Sequence, residues 1–141
     1  MSVRNKAMDL LARREHSEQE LRQKLKSREY DLDEIDLALQ QLKQDGLLSD
    51  DRFTESYINH RVNAGVGPIK IRHELRQKGV SDALTNVYLE PYSGEWESLM
   101  QETRARRFGQ SLPDDYKDRM KQARFLQNRG FSPESVMRLF R

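Results

Sequence analysis

Residues 50–79 read DDRFTESYINHRVNAGVGPIKIRHELRQKG, and their spacing of apolar residues indicates how the chain folds. Phe53 and Tyr57 are four residues apart, as are Ile71 and Leu75, and this spacing places each pair on one face of a helix. Between the pairs stands GVGP, where the glycines permit a sharp turn and the proline suits the first position of the next helix. The stretch predicts two short amphipathic helices joined by a tight turn.

The same plan is repeated on both sides of this stretch. ELRQKL at residues 20–25 recurs as ELRQKG at residues 74–79. Tyr30, Val80 and Phe131 each follow the second helix of successive repeats, at intervals of 50 and 51 residues. A nearly fixed step of this size is typical of tandem structural repeats.

Polar residues mark the helix starts in the outer repeats. Ser17 and Glu20 have the spacing of a capping box, and Asp31 with Glu34 forms a second predicted cap. Ser132 precedes a proline at the first position of the last helix. Alternation of apolar and polar residues, which is typical of strands, is nearly missing.

The sequence therefore predicts an all-α protein built from three tandem three-helix units. We place these units at residues 1–47, 48–91 and 92–141. Each unit is too small to bury its apolar face well without a neighbour, so we expect the units to stack into an elongated, curved array.

Composition narrows the function classes. The chain has no cysteine, which excludes disulfides and thiolate metal sites and fits a reducing compartment. It contains no apolar run of the roughly 20 residues that a membrane span needs, and its first residues lack the order of a signal peptide. We expect a cytoplasmic monomer that does not contact the membrane.

Residue types that could serve in catalysis are present, but they lack the spacing of known catalytic or metal-binding motifs. The three histidines lack metal-binding spacing, and the acidic pairs Asp50–Asp51 and Asp114–Asp115 stand where helices begin, as capping residues do. GVGPIK at residues 65–70 lacks the ending of a nucleotide-binding loop and fits an interhelical turn. We expect no enzyme activity, no metal and no cofactor.

Basic residues are the strongest candidates for a binding surface, because residues 91–141 carry 10 basic and 7 acidic groups within a net charge of +2. Glu74 is four residues from both Lys70 and Lys78, so a solvated helix face explains the first cluster equally well. Three arginines in four residues favour phosphate or carboxylate contacts in the second cluster. The candidate contact residues are Arg61, Lys70, Arg72, Arg76 and Lys78, then Arg104, Arg106 and Arg107, then Lys117, Lys121, Arg124 and Arg129.

Most aromatic side chains share helix faces with leucine and isoleucine. An exposed ring could stack on a nucleic-acid base, but packing in a core accounts better for residues such as Phe53, Phe108, Phe125, Phe131 and Phe140.

The run GLLSDDRFTESYINHRVNAGVGPIKIRHELRQKGV, residues 46–80, resembles the central signature of the RecX family of recombinase regulators. AMDLLARREHSEQELRQKL at residues 7–25 is similar to the first unit of that family, and FGQSLPDDYKDRMKQARFLQNRGFSPESVMRLF at residues 108–140 is similar to its last unit. One departure is Glu29, which stands where the family commonly has glycine, so we expect a less tightly closed helix end there.

The resemblance implies a fold of three-helix repeats and a regulator without enzyme activity. Its implied partner is the filament that a RecA-type recombinase forms on single-stranded DNA, with double-stranded DNA as a further nucleic-acid partner. Family members are understood to lie in the filament groove, to limit filament growth, and to reduce ATPase, strand-exchange and coprotease activities. As a hypothesis, the basic clusters given above line that contact surface.

Two other readings compete with this one. A sequence-tolerant DNA-binding protein that acts without a recombinase also fits small helical units with basic helices. Binding dominated by DNA phosphates should weaken steeply between ~50 and ~200 mM salt. A hydrolase or transferase would need a reactive constellation that the sequence lacks.

Overall fold

The computed structural model describes residues 1–141, and it contains nine α-helices, one short 3-10 helix and no β-strand. The predicted all-α class is confirmed. The helices are α1 (Val3–Arg13), α2 (Glu18–Ser27), α3 (Leu32–Gln44), α4 (Asp50–Asn63), α5 (Pro68–Gln77), α6 (Asp82–Leu89), the 3-10 helix (Glu90–Tyr92), α7 (Trp96–Phe108), α8 (Tyr116–Asn128) and α9 (Pro133–Leu139).

Serine side chains cap two of the predicted helix starts. Ser17 accepts a hydrogen bond from the backbone N–H of Glu20, and the Glu20 carboxylate accepts one from the backbone N–H of Ser17, so the capping box is confirmed. Ser132 caps α9 through the N–H of Ser135. The prediction was wrong in part for Asp31, which occupies the N-cap of α3 but makes no side-chain capping bond.

The second helix of each repeat ends in a residue with a left-handed backbone. Gly79 has φ 81° and Gly130 has φ 100°, while the equivalent Glu29 has φ 64°. After Gly79, the N–H of Val80 donates to the carbonyl of Leu75 and closes the turn. At Glu29 the closing bonds span only three residues, from Arg28 to Leu25 and from Glu29 to Lys26, which agrees with the expected looser end.

The chain divides into two compact units. Compact unit 1 contains Met1–Tyr57 and Leu75–Thr85, and compact unit 2 contains Ile58–Glu74 and Asn86–Arg141. Helices α4, α5 and α6 each contribute residues to both. The predicted boundaries at residues 1–47, 48–91 and 92–141 stay a prediction.

Compact unit 1 is organised around helices α1, α2 and α3, which pack against one another. Their buried residues follow the 3.6-residue period, so each helix contributes one apolar stripe to a shared core. This core consists of Val3, Ala7, Leu10, Leu21, Leu25, Ile35, Ala38, Leu39, Leu42 and Leu48.

Compact unit 2 contains a second core where α7, α8 and α9 pack together. Its buried members are Met100, Ala123, Leu126, Phe131 and Val136, with Trp96, Phe125 and Phe140 packed against them. The predicted role of Phe125, Phe131 and Phe140 in core packing is confirmed.

The turn before α5 meets the turn after α8 through backbone atoms of compact unit 2. The N–H of Gly67 donates to the carbonyl of Arg129 at 2.7 Å, and the N–H of Ile69 donates to that of Gly130 at 3.0 Å. A Cβ atom on Gly67 would lie 2.5 Å from the Gly130 backbone, and a Cβ on Gly130 would lie 2.5 Å from the Cβ of Lys70. Both glycines are therefore required by close approach.

None of the helices is both long enough and apolar enough to cross a membrane.

Candidate functional site

The predicted cations near the GVGP turn are mostly engaged inside the protein. Arg61, at the end of α4, donates two hydrogen bonds of 3.0 Å to the Glu74 carboxylate. Arg72 on α5 donates to Asn86. Lys70 is exposed and forms no ion pair. Arg61 and Arg72 are thus engaged by side chains of neighbouring helices, Glu74 on α5 and Asn86 on α6. This arrangement differs from the local pairing of Glu74 with Lys70 and Lys78 that the sequence also allowed.

Arg76 and Lys78 belong to compact unit 1, and both have acidic partners there. Arg76 pairs with Asp82 at 2.7 Å. Lys78 lies 3.0 Å from the Glu20 carboxylate and 5.5 Å from the centroid of the Tyr57 ring. These contacts occupy both cations and connect the end of α5 to α2.

Glu20 is the centre of this polar network. Burial raises the pKa of its carboxyl group, but hydrogen bonds from Arg14, Lys78 and the Ser17 backbone outweigh burial and bring the pKa down to about 2. The carboxylate therefore stays charged at neutral pH and holds its basic partners in place.

Beside this network lies His16, which the sequence did not single out for a role and which is 1% exposed. Its Nδ1 lies 3.0 Å from the Arg14 carbonyl oxygen, and its Nε2 lies 2.8 Å from the Lys24 ammonium. Burial lowers the pKa of His16 below its ordinary 6.5, and the nearby charges of Arg14 and Lys24 act in the same direction. Because the carbonyl accepts from Nδ1–H and the ammonium donates to Nε2, this geometry requires a neutral ring.

Arg104 requires a correction, because the sequence placed it on the binding surface. Its side chain is buried, with 3% of the residue exposed. The guanidinium donates to the carbonyls of Gly109, Gln110 and Ser111 and to the side chain of Gln122. These four acceptors satisfy the charge inside the fold and fix the segment after α7, so Arg104 is a structural residue.

The other two arginines of that cluster remain at the surface. Arg106 and Arg107 are exposed on the last turn of α7. The guanidinium of Arg107 lies 5.4 Å from the centroid of the Phe125 ring, and that of Arg129 lies 5.3 Å from the same centroid. We call Arg106, Arg107 and Arg129 around Phe125 the arginine pocket. No carboxylate forms an ion pair with any of its three guanidinium groups.

Helix α8 carries the remaining predicted cations. Lys117, Lys121 and Arg124 are all exposed, and none forms an ion pair. Lys121 lies four residues before Phe125, so it stands one helical turn from the arginine pocket on the same side of α8. The structure thus brings together the cations of α7 and α8 in compact unit 2.

Sequence reasoning placed Phe125 in a core and missed that two arginines lie over its ring. The signal for one of them is present, because Phe125 and Arg129 are four residues apart on one helix. Arg107 comes from another helix, so only the folded structure shows its contact. No group of three or more histidine, cysteine or acidic residues is placed to hold a metal ion.

Comparison with protein families covers almost the whole chain. Three models match in order: the first three-helix domain of RecX at residues 4–42, the second at residues 49–86 and the third at residues 95–140. The chain belongs to the RecX family. The resemblance that the sequence suggested is confirmed, and so is the expected fold of three-helix domains.

Proteins named regulatory protein RecX show the same relationship. The chain is 43% identical over 139 residues to that of Pseudomonas fluorescens strain SBW25, covering 99% of this chain and 90% of the relative. It is 42% identical over 135 residues to that of Halorhodospira halophila, covering 96% and 84%.

Solved RecX structures share the fold. A crystal structure of regulatory protein RecX superposes with a TM-score of 0.78 at 24% identity, covering 98% of this chain and 71% of that one. RecX from Lactobacillus salivarius gives 0.74 at 25% identity, covering 95% and 89%. All of the predicted contact residues lie within the second and third RecX domains of this chain.

Proposed function

We propose that this chain regulates a RecA-type recombinase, mainly as an inhibitor. In this proposal it binds the filament that the recombinase forms on single-stranded DNA and limits filament growth. Reduced ATPase, strand-exchange and coprotease activities follow from a shorter filament. The observation that carries the proposal is the match to three RecX domains across residues 4–140.

The unpaired cations of α7 and α8 supply the contact surface in this mechanism. They are Arg106, Arg107, Lys117, Lys121, Arg124 and Arg129, with Lys70 on α5 as a further candidate. The cations of the first cluster that have partners contribute less, because a paired charge must first leave its carboxylate. If the three units stack into the predicted elongated, curved array, several weak contacts act together and raise the total affinity through effective concentration.

We propose a regulator that acts by binding, without turnover, metal or cofactor. A monomer in the cytoplasm, able to reach double-stranded DNA as well as single-stranded DNA, remains our prediction.

A recombinase-independent, sequence-tolerant DNA-binding protein is the second candidate function. The arginine pocket favours it, because three guanidinium groups without acidic partners suit DNA phosphates. Affinity for bare DNA that collapses between ~50 and ~200 mM salt, with no added effect of recombinase, would support this candidate.

Binding and ATP hydrolysis measured together test the proposal. The protein is added to single-stranded DNA with and without recombinase and ATP at about physiological salt. We expect much stronger association with the filament and suppressed hydrolysis at fewer copies than recombinase protomers. Equal binding to bare DNA with unchanged hydrolysis would contradict the regulatory function.

A charge-reversal pair identifies the surface. We expect Lys121→Glu with Arg124→Glu to weaken filament binding by about tenfold or more, since removed and reversed charges act together. The control is Arg13→Glu with Lys26→Glu, which changes the net charge equally at exposed positions of compact unit 1. Equal loss in both variants would assign the effect to net charge alone.

A further inference from the structure

A small open pocket lies between α7, α8 and the turn before α5, all within compact unit 2. It has a volume of about 200 Å³, and its wall includes Arg106, Arg107, Arg129 and Phe125. Pockets for drug-sized ligands measure ~300–1,000 Å³, so this one suits a single small group and not a whole cofactor. Ala64 and Gly65 of the turn and Thr103 of α7 complete its wall.

This pocket gathers three arginines at one place, in a chain that has nearly as many acidic as basic residues. Elsewhere in compact unit 2, Arg61 pairs with Glu74 and Arg138 lies 3.6 Å from Glu97. The three pocket arginines have no such partner. Like charges gathered without a counterion repel one another, and an anion in the pocket would relieve that repulsion.

Two of the guanidinium groups are held in place before any ligand arrives. Phe125 meets Phe108 edge to face, with ring centroids 5.3 Å apart and planes at 89°. On this fixed ring lie Arg107 and Arg129, and Arg129 also donates one hydrogen bond of 3.4 Å to the Ala64 carbonyl. A guanidinium has five N–H donors, so most donors of both arginines remain available. Ordering them in advance reduces the entropy lost on binding.

The position of Arg107 and Arg129 at helix ends also complements the helix dipoles. That contribution needs only their charge near the last carbonyls. It explains neither the convergence of arginines from two helices on one cavity nor their shared aromatic support.

A phosphate group fits these features. Its tetrahedral oxygens accept bidentate bonds from guanidinium forks, for which lysine is a poorer substitute. Next to the pocket, Lys121 stands one turn along α8 from Phe125, and Lys117 stands one turn further. A row of cations beside one phosphate seat suits a chain with regularly repeated charge, which a nucleic-acid backbone has.

We infer that the arginine pocket seats one phosphodiester of single-stranded DNA, with Arg107 and Arg129 as the principal donors. The inference rests on the proposed function in that it names the nucleic-acid contact of the same surface. It adds a defined seat, a named pair of donors and a requirement for guanidinium groups.

The test uses the full-length protein and a short fluorescein-labelled oligothymidine, with anisotropy followed from ~50 to ~200 mM salt. We expect the double variant Arg107→Gln, Arg129→Gln to bind about tenfold more weakly at the lower salt. Its slope of log K against log salt should fall by about 0.7, since the pocket seats one phosphate and each lost phosphate contact on a single strand contributes about 0.7.

Two further variants separate a seat from general charge. Arg107→Lys with Arg129→Lys should keep the salt slope and still lose affinity, because an ammonium lacks the planar fork and stacks poorly. Arg138→Gln, an exposed arginine of α9 in the same compact unit, should bind as the unchanged protein does. Far-ultraviolet circular dichroism and thermal unfolding confirm that each variant is folded.

Several outcomes would overturn the inference. They are no binding of oligothymidine by the unchanged protein at ~50 mM salt, an affinity of the glutamine variant within twofold of it, or full affinity in the lysine variant. An oligoglutamate peptide tests for a carboxylate ligand. If the glutamine variant loses binding to this peptide but keeps its binding to oligothymidine, the pocket does not seat a phosphodiester.

Recombinase ATP hydrolysis is followed with the same variants. If the unchanged protein binds DNA through the pocket but leaves hydrolysis unaffected, the inference stands and the proposed function fails. If hydrolysis is suppressed equally by the unchanged protein and by the glutamine variant that also retains DNA affinity, the function stands and the inference fails.

Discussion

Glu29 occupies a backbone conformation that its side chain disfavours. Its φ of 64° is in the left-handed region, where the two equivalent repeat positions have Gly79 and Gly130. A Cβ in this region approaches the following carbonyl and costs roughly 1–2 kcal/mol, which glycine avoids. The residue is exposed, so little packing opposes a change.

We expect Glu29→Gly to raise the free energy of unfolding by about 0.5–1 kcal/mol, because relief of the strain exceeds the added flexibility of the unfolded chain. Urea unfolding followed by circular dichroism measures this. Arg28→Gly is the matched control, since Arg28 has φ −94° and gains no such relief. A Glu29→Gly protein less stable than the parent would show that its side chain contributes a contact that outweighs the strain.

Arg104 and Arg106 are two residues apart and differ in role. Arg104 is buried and bonded to four oxygen atoms, whereas Arg106 is exposed without an ion pair. Deleting a buried donor leaves its acceptors without partners, and deleting an exposed one does not.

We therefore expect Arg104→Ala to lower the free energy of unfolding by about 2–4 kcal/mol, and Arg106→Ala to change it by less than about 0.5 kcal/mol. Thermal and urea unfolding of both variants give the comparison. Equal free energies of unfolding for the two variants would contradict the structural role of Arg104.

Among the helices, α2 is preceded by a buried histidine, His16, whose protonation links stability to pH. His16 is neutral in the fold because burial and nearby cations lower its pKa. The unfolded chain takes up a proton near the ordinary value of 6.5 and the folded chain does so only at lower pH. Stability is therefore highest above about pH 6.5 and declines as the pH falls through the window between the two pKa values.

We expect the free energy of unfolding to drop by up to ~1.4 kcal/mol per pH unit within that window, and His16→Gln to flatten this dependence. Urea unfolding at a series of pH values from 7 to 5 gives the slope; His60→Gln, at an exposed position of α4, controls for loss of a histidine. Glu20 acts in a separate range, because its pKa of about 2 makes its contribution decline from about pH 4.5 downward. An unchanged slope in His16→Gln would contradict the assignment to His16.

The repeated elements show where sequence reasoning succeeds and where it is misled. Residues that follow the second helices were placed in equivalent positions at steps of 50 and 51 residues, and the left-handed residues before them agree with those steps. The literal repeat ELRQK has a step of 54 residues instead. In the structure, Arg22 bonds Asp36 just as Arg72, 50 residues later, bonds Asn86. The two ELRQK segments are therefore offset by four residues, about one helical turn, from structurally equivalent positions. The pattern of buried residues, and not the identity of the residues, sets the register of the repeats.

At the scale of the whole molecule, the helix content, most helix starts and the core faces could be predicted, because each depends on local spacing and capping. The candidate surface was predicted only in part. Charge density along the sequence identified the α7 and α8 cations, but it could not separate buried Arg104 from exposed Arg106. That difference depends on where the segment after α7 folds back, which no local pattern specifies.

Long-range folding also determines which cations find partners. This holds for Arg61, Arg72, Arg76 and Lys78. Their partners are 6 to 58 residues away along the chain, beyond the reach of helix spacing rules. The sequence shows how many cations the chain has, but only the fold shows which of them lack acidic partners and can bind a ligand.

The backbone contact between Gly67 and Gly130 restricts how sequences with this fold can diverge. The contact is made by backbone atoms, so substitutions around it alter few of its bonds, and neighbouring positions are free to drift. At the two glycines themselves, a methyl group has no room on either side, and enlarging one residue cannot be compensated by shrinking the other, which is already the smallest. Replacing either glycine alone produces a clash. We therefore expect that relatives without this glycine pair have changed the length of the turn before α5 or of the turn after α8 by an insertion or deletion.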